Sequence, residues 1–239
     1  MLIDELIKQG YLKTPIIIEA FRKINRADFL PASPVGGPEE IKDEAELNIP
    51  LPIGFGQTIS QPLTVAFMME LLEPEPGDKI LDIGSGSGWT TALLAHIVSQ
   101  ELKSKIKNQK SKIDERIDGR VVAVEVIPEL KEFGEKNVAK YSFIKKSIVE
   151  FVCADGSGGY EKEAPFDKIL CSAAVQKEIP RAWKEQLKIG GRIVTPVGSS
   201  IWLLIKKAPP FAKATAGKEK NFEEYEYPGF AFVPLIEEN

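Results

Sequence analysis

Histidine is nearly absent from this chain: His96 is the single one among 239 residues. It falls in a helical stretch past a glycine-rich run and reads as a structural or surface side chain. A Ser-His-Asp triad, or any mechanism resting on a histidine base, is thereby set aside. Cysteine is almost as scarce, with Cys153 and Cys171 alone. Their spacing is not that of metal ligands, so no metal site is expected. Both read as reduced, buried thiols at strand ends. No run approaches the ~20 apolar residues of a membrane span. Positive charge is not in surplus either: the formal net charge is −4, which argues against a nucleic-acid partner. The first residues carry Asp4 and Glu5 with no basic stretch before an apolar core. No secretory leader is expected, and the expected compartment is the cytoplasm.

What is present is an ordinary globular composition, with 43% apolar and 28% charged residues. The length suits one domain with appendages. Residues 2–9 and 15–24 have helical periodicity, with Gly10 stopping the first and Thr14-Pro15 capping and opening the second. Residues 31–56, rich in Pro and Gly, read as loop, and Pro62–Leu72 as an apolar helix. Strand-like and helical segments then alternate. Strands are expected at 80–83, 121–126, 148–153, 168–172, 192–196 and 202–206, and helices at 89–99, 129–141 and 180–187. This alternation predicts an α/β fold with a doubly wound, mostly parallel sheet and helices on both faces, preceded by an N-terminal helical extension. We divide the single domain into a helical extension and loop (1–50), a catalytic core (51–207) and a loop with a C-terminal tail (208–239). Residues 101–119 are lysine-rich and aperiodic. They read as an exposed insertion; a solvated loop and a nucleic-acid patch are the two readings of that composition.

The sharpest local signal is Lys79-Ile80-Leu81-Asp82-Ile83-Gly84-Ser85-Gly86-Ser87-Gly88. An apolar strand ends near an acid, three alternate glycines follow, and a helix comes next. Such a turn lets a ligand approach the backbone and meet the free N–H groups of the helix. A dinucleotide site prefers Gly-x-Gly-x-x-Gly. The Gly-x-Gly-x-Gly spacing, with Asp82 ahead of it, is more typical of S-adenosylmethionine sites. Glu125 ends the next strand, where a carboxylate can accept hydrogen bonds from ribose hydroxyls, and Val126 follows it. Asp155-Gly156 follows the third strand. Asp82, Glu125 and Asp155 are therefore expected to converge at the carboxyl edge of the sheet, where ligands bind in such folds. A solvated strand-end acid and a plain turn dipeptide are the alternatives for Glu125 and Asp155-Gly156.

Ahead of the sheet stands Gly54-Phe55-Gly56-Gln57-Thr58-Ile59-Ser60. In this block the chain resembles the protein-L-isoaspartate O-methyltransferase family. The resemblance continues through Arg26-Ala27-Asp28-Phe29-Leu30-Pro31, the glycine run, Val124-Glu125, Asp155-Gly156, Ala164-Pro165-Phe166-Asp167 and Leu187 to Gly198. It implies a class I methyltransferase fold with a seven-stranded sheet and S-adenosyl-L-methionine as cofactor. It also implies methyl transfer to the α-carboxylate of L-isoaspartyl residues in damaged peptides and proteins, by a chain expected to be a monomer. The resemblance places Asp82, Gly84, Ser85, Gly86, Gly88, Glu125, Val126, Asp155 and Gly156 at the cofactor. It places Gln57, Thr58, Ile59, Ser60 and Val197 at the substrate, with Ser60 as the catalytic residue. Two departures stand out. Leu63 occupies a place where many members carry histidine or tyrosine, and Ser199-Ser200 replaces a frequent Asn-Gln pair.

The chemistry suits a chain without bases. An α-carboxyl titrates near ~3.5 and is already ionised at neutral pH. No proton has to be removed; the acceptor oxygen has only to be held in line and dry. Ser60 stands just before a helix N-terminus, where its hydroxyl suits either a carboxylate or a plain helix cap. Two other readings remain at this stage: a methyltransferase acting on RNA or a small molecule, and a non-catalytic module binding peptide ends.

Overall fold

A computed structural model describes residues 2–32, 38–100, 119–208 and 221–236 of the protein. Most of the 101–119 insertion and of the 208–221 loop lies outside the described residues. Short runs of Val, Ile and Leu form the strands β3 (Lys79–Ile83), β4 (Arg120–Glu125), β5 (Val149–Cys153), β6 (Phe166–Cys171), β7 (Leu187–Val197) and β8 (Ser200–Lys206). With β9 (Phe222–Pro228) they make one seven-stranded sheet in the order β5-β4-β3-β6-β7-β8-β9. Pairs from β5 to β7 are parallel; β8 and β9 are antiparallel to their neighbours. The chain runs outward from β3 to β5 and then returns to place β6 beside β3. The strand order thus reverses at β3, which makes its carboxyl end a crevice.

Alternation along the strands builds two cores. Ile80, Val121, Ala123, Leu170 and Val194 pack under α4 (Pro62–Leu72), α5 (Trp89–Val98) and α6 (Pro128–Ala139). Leu81, Ile83, Val122, Val124, Ile169 and Ile193 face the other way, toward Ile179 and Trp183 of the α7 (Arg181–Gln186) layer. Both faces of the parallel part are covered, as parallel sheets require. The extension contributes α1 (Leu2–Lys8) and α2 (Pro15–Lys23), whose Leu6, Ile17, Ala20 and Phe21 are buried. Thr14 does not cap α2 through its side chain; its hydroxyl donates to Glu70 Oε2 at 2.7 Å and ties α2 to α4 instead.

Four expectations need correction. Residues 31–56 are not loop throughout: they hold α3 (Pro38–Ala45) and β1 (Leu51–Gly54), which pairs antiparallel with β2 (Gln57–Ile59). Gly54, Phe55 and Gly56 all have positive φ (96°, 54° and 70°), so the glycines read as loop are the turn of a hairpin. The stretch 208–239 is not merely loop and tail, since it supplies the seventh strand, an alternating Phe-Glu-Glu-Tyr-Glu-Tyr run on the sheet edge. Cys153 is exposed at the end of the edge strand β5, whereas Cys171, in the interior strand β6, is buried. The strand expected at 192–196 also starts earlier, at Leu187.

Val98 and Gly119, which flank residues 101–118, lie against each other. A side chain added at Gly119 would fall 2.3 Å from the Val98 carbonyl. This is the amino edge of the sheet, opposite the crevice.

Candidate active site

The glycine run forms a tight turn at the carboxyl end of β3. The N–H groups of Gly84 and Ser85 both donate to the Val124 carbonyl, at 2.9 and 3.2 Å, which pins the turn to β4. Gly88, at φ +84°, opens α5 against α6: a Cβ there would lie 2.8 Å from the Gly134 carbonyl. Beside the turn lies an open cavity. Its walls include Gly84, Ser85, Gly86, Glu125, Val126 and Gly156, together with Gln57, Thr58, Ile59 and Ser60.

Glu125 is 6% exposed and reaches into this cavity. Its Oε2 accepts the Gly86 N–H at 2.8 Å and its Oε1 the Ile127 N–H at 3.1 Å. One carboxylate thus braces the glycine turn and the start of α6 while facing the cavity. Asp82 does not join it at the edge. It alternates with Ile80 on the face covered by α5, fully buried, and accepts the Thr91 hydroxyl at 2.6 Å. Burial, with the neighbouring Glu125 adding to it, pushes its carboxyl up to about 7. Asp155 does not line the cavity either: it caps the turn Gly156–Gly158 by accepting the Ser157 N–H at 2.8 Å. Gly88 stands behind the turn, and Val197 lines a separate hollow with Lys177, Trp202 and Glu224. The sequence-derived set is therefore brought together except for Asp82, Gly88, Asp155 and Val197.

The residues fit a nucleoside-like cation. An acid stands at the strand end, and the glycine cradle would be filled by side chains: a Cβ at Gly86 would lie 3.2 Å from Ile53. Buried Ser85 Oγ, Trp89 Nε1 and Asp82 Oδ1 have no partner within the protein, so polar capacity is left over around the turn.

A second cavity adjoins the first. It is lined by Pro50, Gln61, Leu63, Thr64 and residues 229–232, and shares Thr58, Ser60, Ser172 and Val233 with the inner one. Ser60 therefore stands in the common wall. The cap reading of Ser60 is not what the structure shows: Asn48 Oδ1 takes the Leu63 N–H at the start of α4, at 3.0 Å. No hydrogen bond to the Ser60 hydroxyl forms among the described residues.

Sequence reasoning missed the far wall. The Ala174 N–H donates to the Val233 carbonyl and the Leu235 N–H to the Ala174 carbonyl, each at 2.8 Å. This bridge lays residues 233–236 along the inner cavity. Ser172 and Ala173 follow β6 at the same sheet edge as Glu125, so the edge rule that found Glu125 could have found them. The two departures from the resembled pattern both touch the outer cavity. Leu63 lines it, and the Ser199 carbonyl accepts the N–H groups of Gly229 and Phe230, at 3.1 and 3.0 Å.

Comparison with known proteins gives the family and the fold. The family model described as protein-L-isoaspartate(D-aspartate) O-methyltransferase matches residues 1–239. A protein-L-isoaspartate O-methyltransferase of Methanopyrus kandleri is 37% identical over 241 residues, covering 99% of this chain and 90% of the relative. A protein-L-isoaspartate O-methyltransferase 2 of Archaeoglobus fulgidus is 40% identical over 232 residues, covering 97% and 90%. A solved protein-L-isoaspartate O-methyltransferase superposes with a TM-score of 0.74 at 26% identity; it covers 98% of this chain, which spans 64% of that one. A Plasmodium falciparum structure in complex with S-adenosyl-L-homocysteine has the same fold, with a TM-score of 0.74 at 18% identity over 98% and 96% of the two chains. By sequence over its whole length, this chain belongs to the protein-L-isoaspartate(D-aspartate) O-methyltransferase family.

Proposed function

We propose that Ser60 grips the acceptor carboxylate where the two cavities meet, with the cofactor on the inner side and the damaged peptide on the outer. As a family member the chain is an S-adenosyl-L-methionine-dependent carboxyl O-methyltransferase, and its substrates are L-isoaspartyl residues in proteins. The observation that carries the proposal is the place of Ser60, in the shared wall with its hydroxyl not spent on α4.

Gly84, Ser85, Gly86, Glu125, Val126 and Gly156 would hold the cofactor, with Asp82 and Gly88 supporting the turn from behind and Asp155 shaping the Gly156 turn. The cofactor supplies a methyl group on a sulfonium, whose leaving group is neutral. Gln57, Thr58 and Ile59 shape the acceptor side, and Val197 has no part in this reading. Glu125 is the one ionisable side chain lining the inner cavity among the described residues, and two backbone N–H groups occupy its oxygens. No base is needed, since the acceptor is ionised. The hairpin and residues 233–236 line the junction, where the Ser60 hydroxyl would donate to the carboxylate.

Single-turnover methylation of a short isoaspartyl peptide and of its aspartyl twin tests this. The first should react and the second should not. The rate should vary little between pH 6 and 8. Ser60→Ala should slow the step about 10- to 150-fold, the worth of one hydrogen bond to a charged group, and leave S-adenosyl-L-homocysteine affinity unchanged. A Ser60→Ala enzyme that is fully active per folded molecule would overturn the assignment.

A further inference from the structure

The segment carrying Ser60 belongs to no strand of the main sheet, so something else must fix it. Arg26 opens the short turn Arg26–Phe29 of the helical extension and is only 5% exposed. Its Nη1 donates to the carbonyls of Ala45, at 3.3 Å, and Leu47, at 3.0 Å. Its Nη2 donates to the carbonyls of Ile49, at 2.8 Å, and Ser60, at 3.2 Å. Ile49 precedes the β1–β2 hairpin and Ser60 follows it, so one nitrogen lashes the two ends of the hairpin together. Behind the fork, the guanidinium carbon lies 5.4 Å from the centre of the Trp89 ring, and Trp89 lines the inner cavity.

None of its acceptors is a carboxylate. Four carbonyl dipoles and an aromatic face stand in for the water the cation has lost. Burial lowers its pKa to about 10, which leaves it charged at neutral pH. Only a planar fork with fixed donor directions meets acceptors on both sides of a hairpin; a lysine ammonium is a single point. The fork therefore specifies geometry as well as attraction.

We propose that Arg26 is a positioning residue for methyl transfer, which holds Ser60 at the junction of the two cavities by tying its carbonyl to the chain at Ile49. This rests on the assignment of Ser60 to the acceptor carboxylate. A displacement of about 1 Å at a reacting centre can cost on the order of 100-fold in rate. A staple that served the fold alone would instead lower stability and leave each folded molecule fully active.

The test compares Arg26→Lys, Arg26→Gln, Ser60→Ala and the double variant Arg26→Lys/Ser60→Ala, each scored per folded molecule. Arg26→Lys keeps the charge, and Arg26→Gln removes it without leaving a stranded cation, so at least one should fold. The readouts are S-adenosyl-L-homocysteine affinity by calorimetry, kcat and KM for an isoaspartyl peptide, and the single-turnover rate at saturating cofactor. We expect Arg26→Lys to cut the single-turnover rate about 10- to 100-fold and to hold cofactor affinity within about threefold of the parent. We also expect the double variant to be no slower than Ser60→Ala by more than about twofold, because the two act through one hydroxyl. Multiplicative losses in the double variant, or an Arg26 variant with lowered melting temperature and an unchanged rate, would overturn the proposal. If Ser60→Ala is slow and Arg26→Lys is not, this inference alone fails. If Ser60→Ala keeps its full rate, the Ser60 assignment fails first and takes this inference with it.

Discussion

The two cavities that meet at Ser60 are built by different means. The glycine side of the inner one is made of neighbours along the chain: a strand, its glycine turn and the helix after it, braced by the acid that ends the next strand. Its backbone is pressed so close that glycine is required where α5 meets α6. The outer one is assembled from pieces far apart in sequence, namely the hairpin, the start of α4 and residues 229–233. Those pieces are lashed by Arg26, Asn48, Ser199 and Ala174 and not by a ladder of strands. A site for a constant small molecule can be rigid and local. The outer cavity is instead edged by segments held at a few points.

The contrast can be broken first at the close approach. Gly88→Ala demands a left-handed φ of a residue with a Cβ and drives that Cβ to 2.8 Å from Gly134. Strain and overpacking together predict a loss of about 2–5 kcal/mol in denaturant unfolding, with cofactor affinity falling as well. Next come the two acids of the inner side. The Asp82 carboxyl is held up at about 7, far above its value in an unfolded chain, so the folded protein keeps a proton that the unfolded chain has lost. The stability this supplies is complete below about pH 4 and is lost as pH rises toward 7. Asp82→Asn should therefore gain on the parent by on the order of 1–4 kcal/mol between pH 4 and 8, read as the difference between two unfolding curves. A constant difference would remove Asp82 from the account of stability.

Glu125→Gln sharpens the same side. The two N–H groups it accepts would keep weaker partners, and the cavity would lose the one carboxylate that lines it among the described residues. Calorimetry with S-adenosyl-L-homocysteine should show about 10- to 150-fold weaker binding, the equivalent of ~1.5–3 kcal/mol. Equal affinity would move the ribose-binding role elsewhere. The smallest effect belongs to the outer rim. Phe230 lines that cavity and stacks on Phe67, with ring centroids 5.3 Å apart. Phe230→Ala should raise the peptide KM several-fold, the worth of one aromatic pair at about 0.5–1.5 kcal/mol, and leave the cofactor affinity alone. A change in cofactor affinity instead would show that the two sides are not separable.

The same difference explains what could be read from the residues. Glu125 was legible because a carboxylate ending an apolar strand has one natural place, the open edge of the sheet. Asp82 was legible as an acid near a glycine turn but not as a buried one; its shared face with Ile80, two positions earlier, held that information. The hairpin was hidden because Gly54 and Gly56 signal a turn without saying that strands flank it. The wall at 233–236 left no local trace. Val233 and Leu235 matter only because Ala174, some sixty positions earlier, offers them its backbone. Periodicity reports a segment's relation to the core, and cannot report which distant backbone it will border.

The adjoining ends of the excursion at Val98 and Gly119 have a consequence for how this enzyme can be altered. Chain added between two points already in contact asks nothing of the elements on either side, and the entropic toll of closing a longer loop grows only with the logarithm of its length. The two cavities lie at the opposite edge of the sheet. The catalytic domain thus carries a socket at its back. A lineage can lengthen or shorten its chain there, and an engineer can graft a reporter or a tether there, without touching the edge that holds the two cavities.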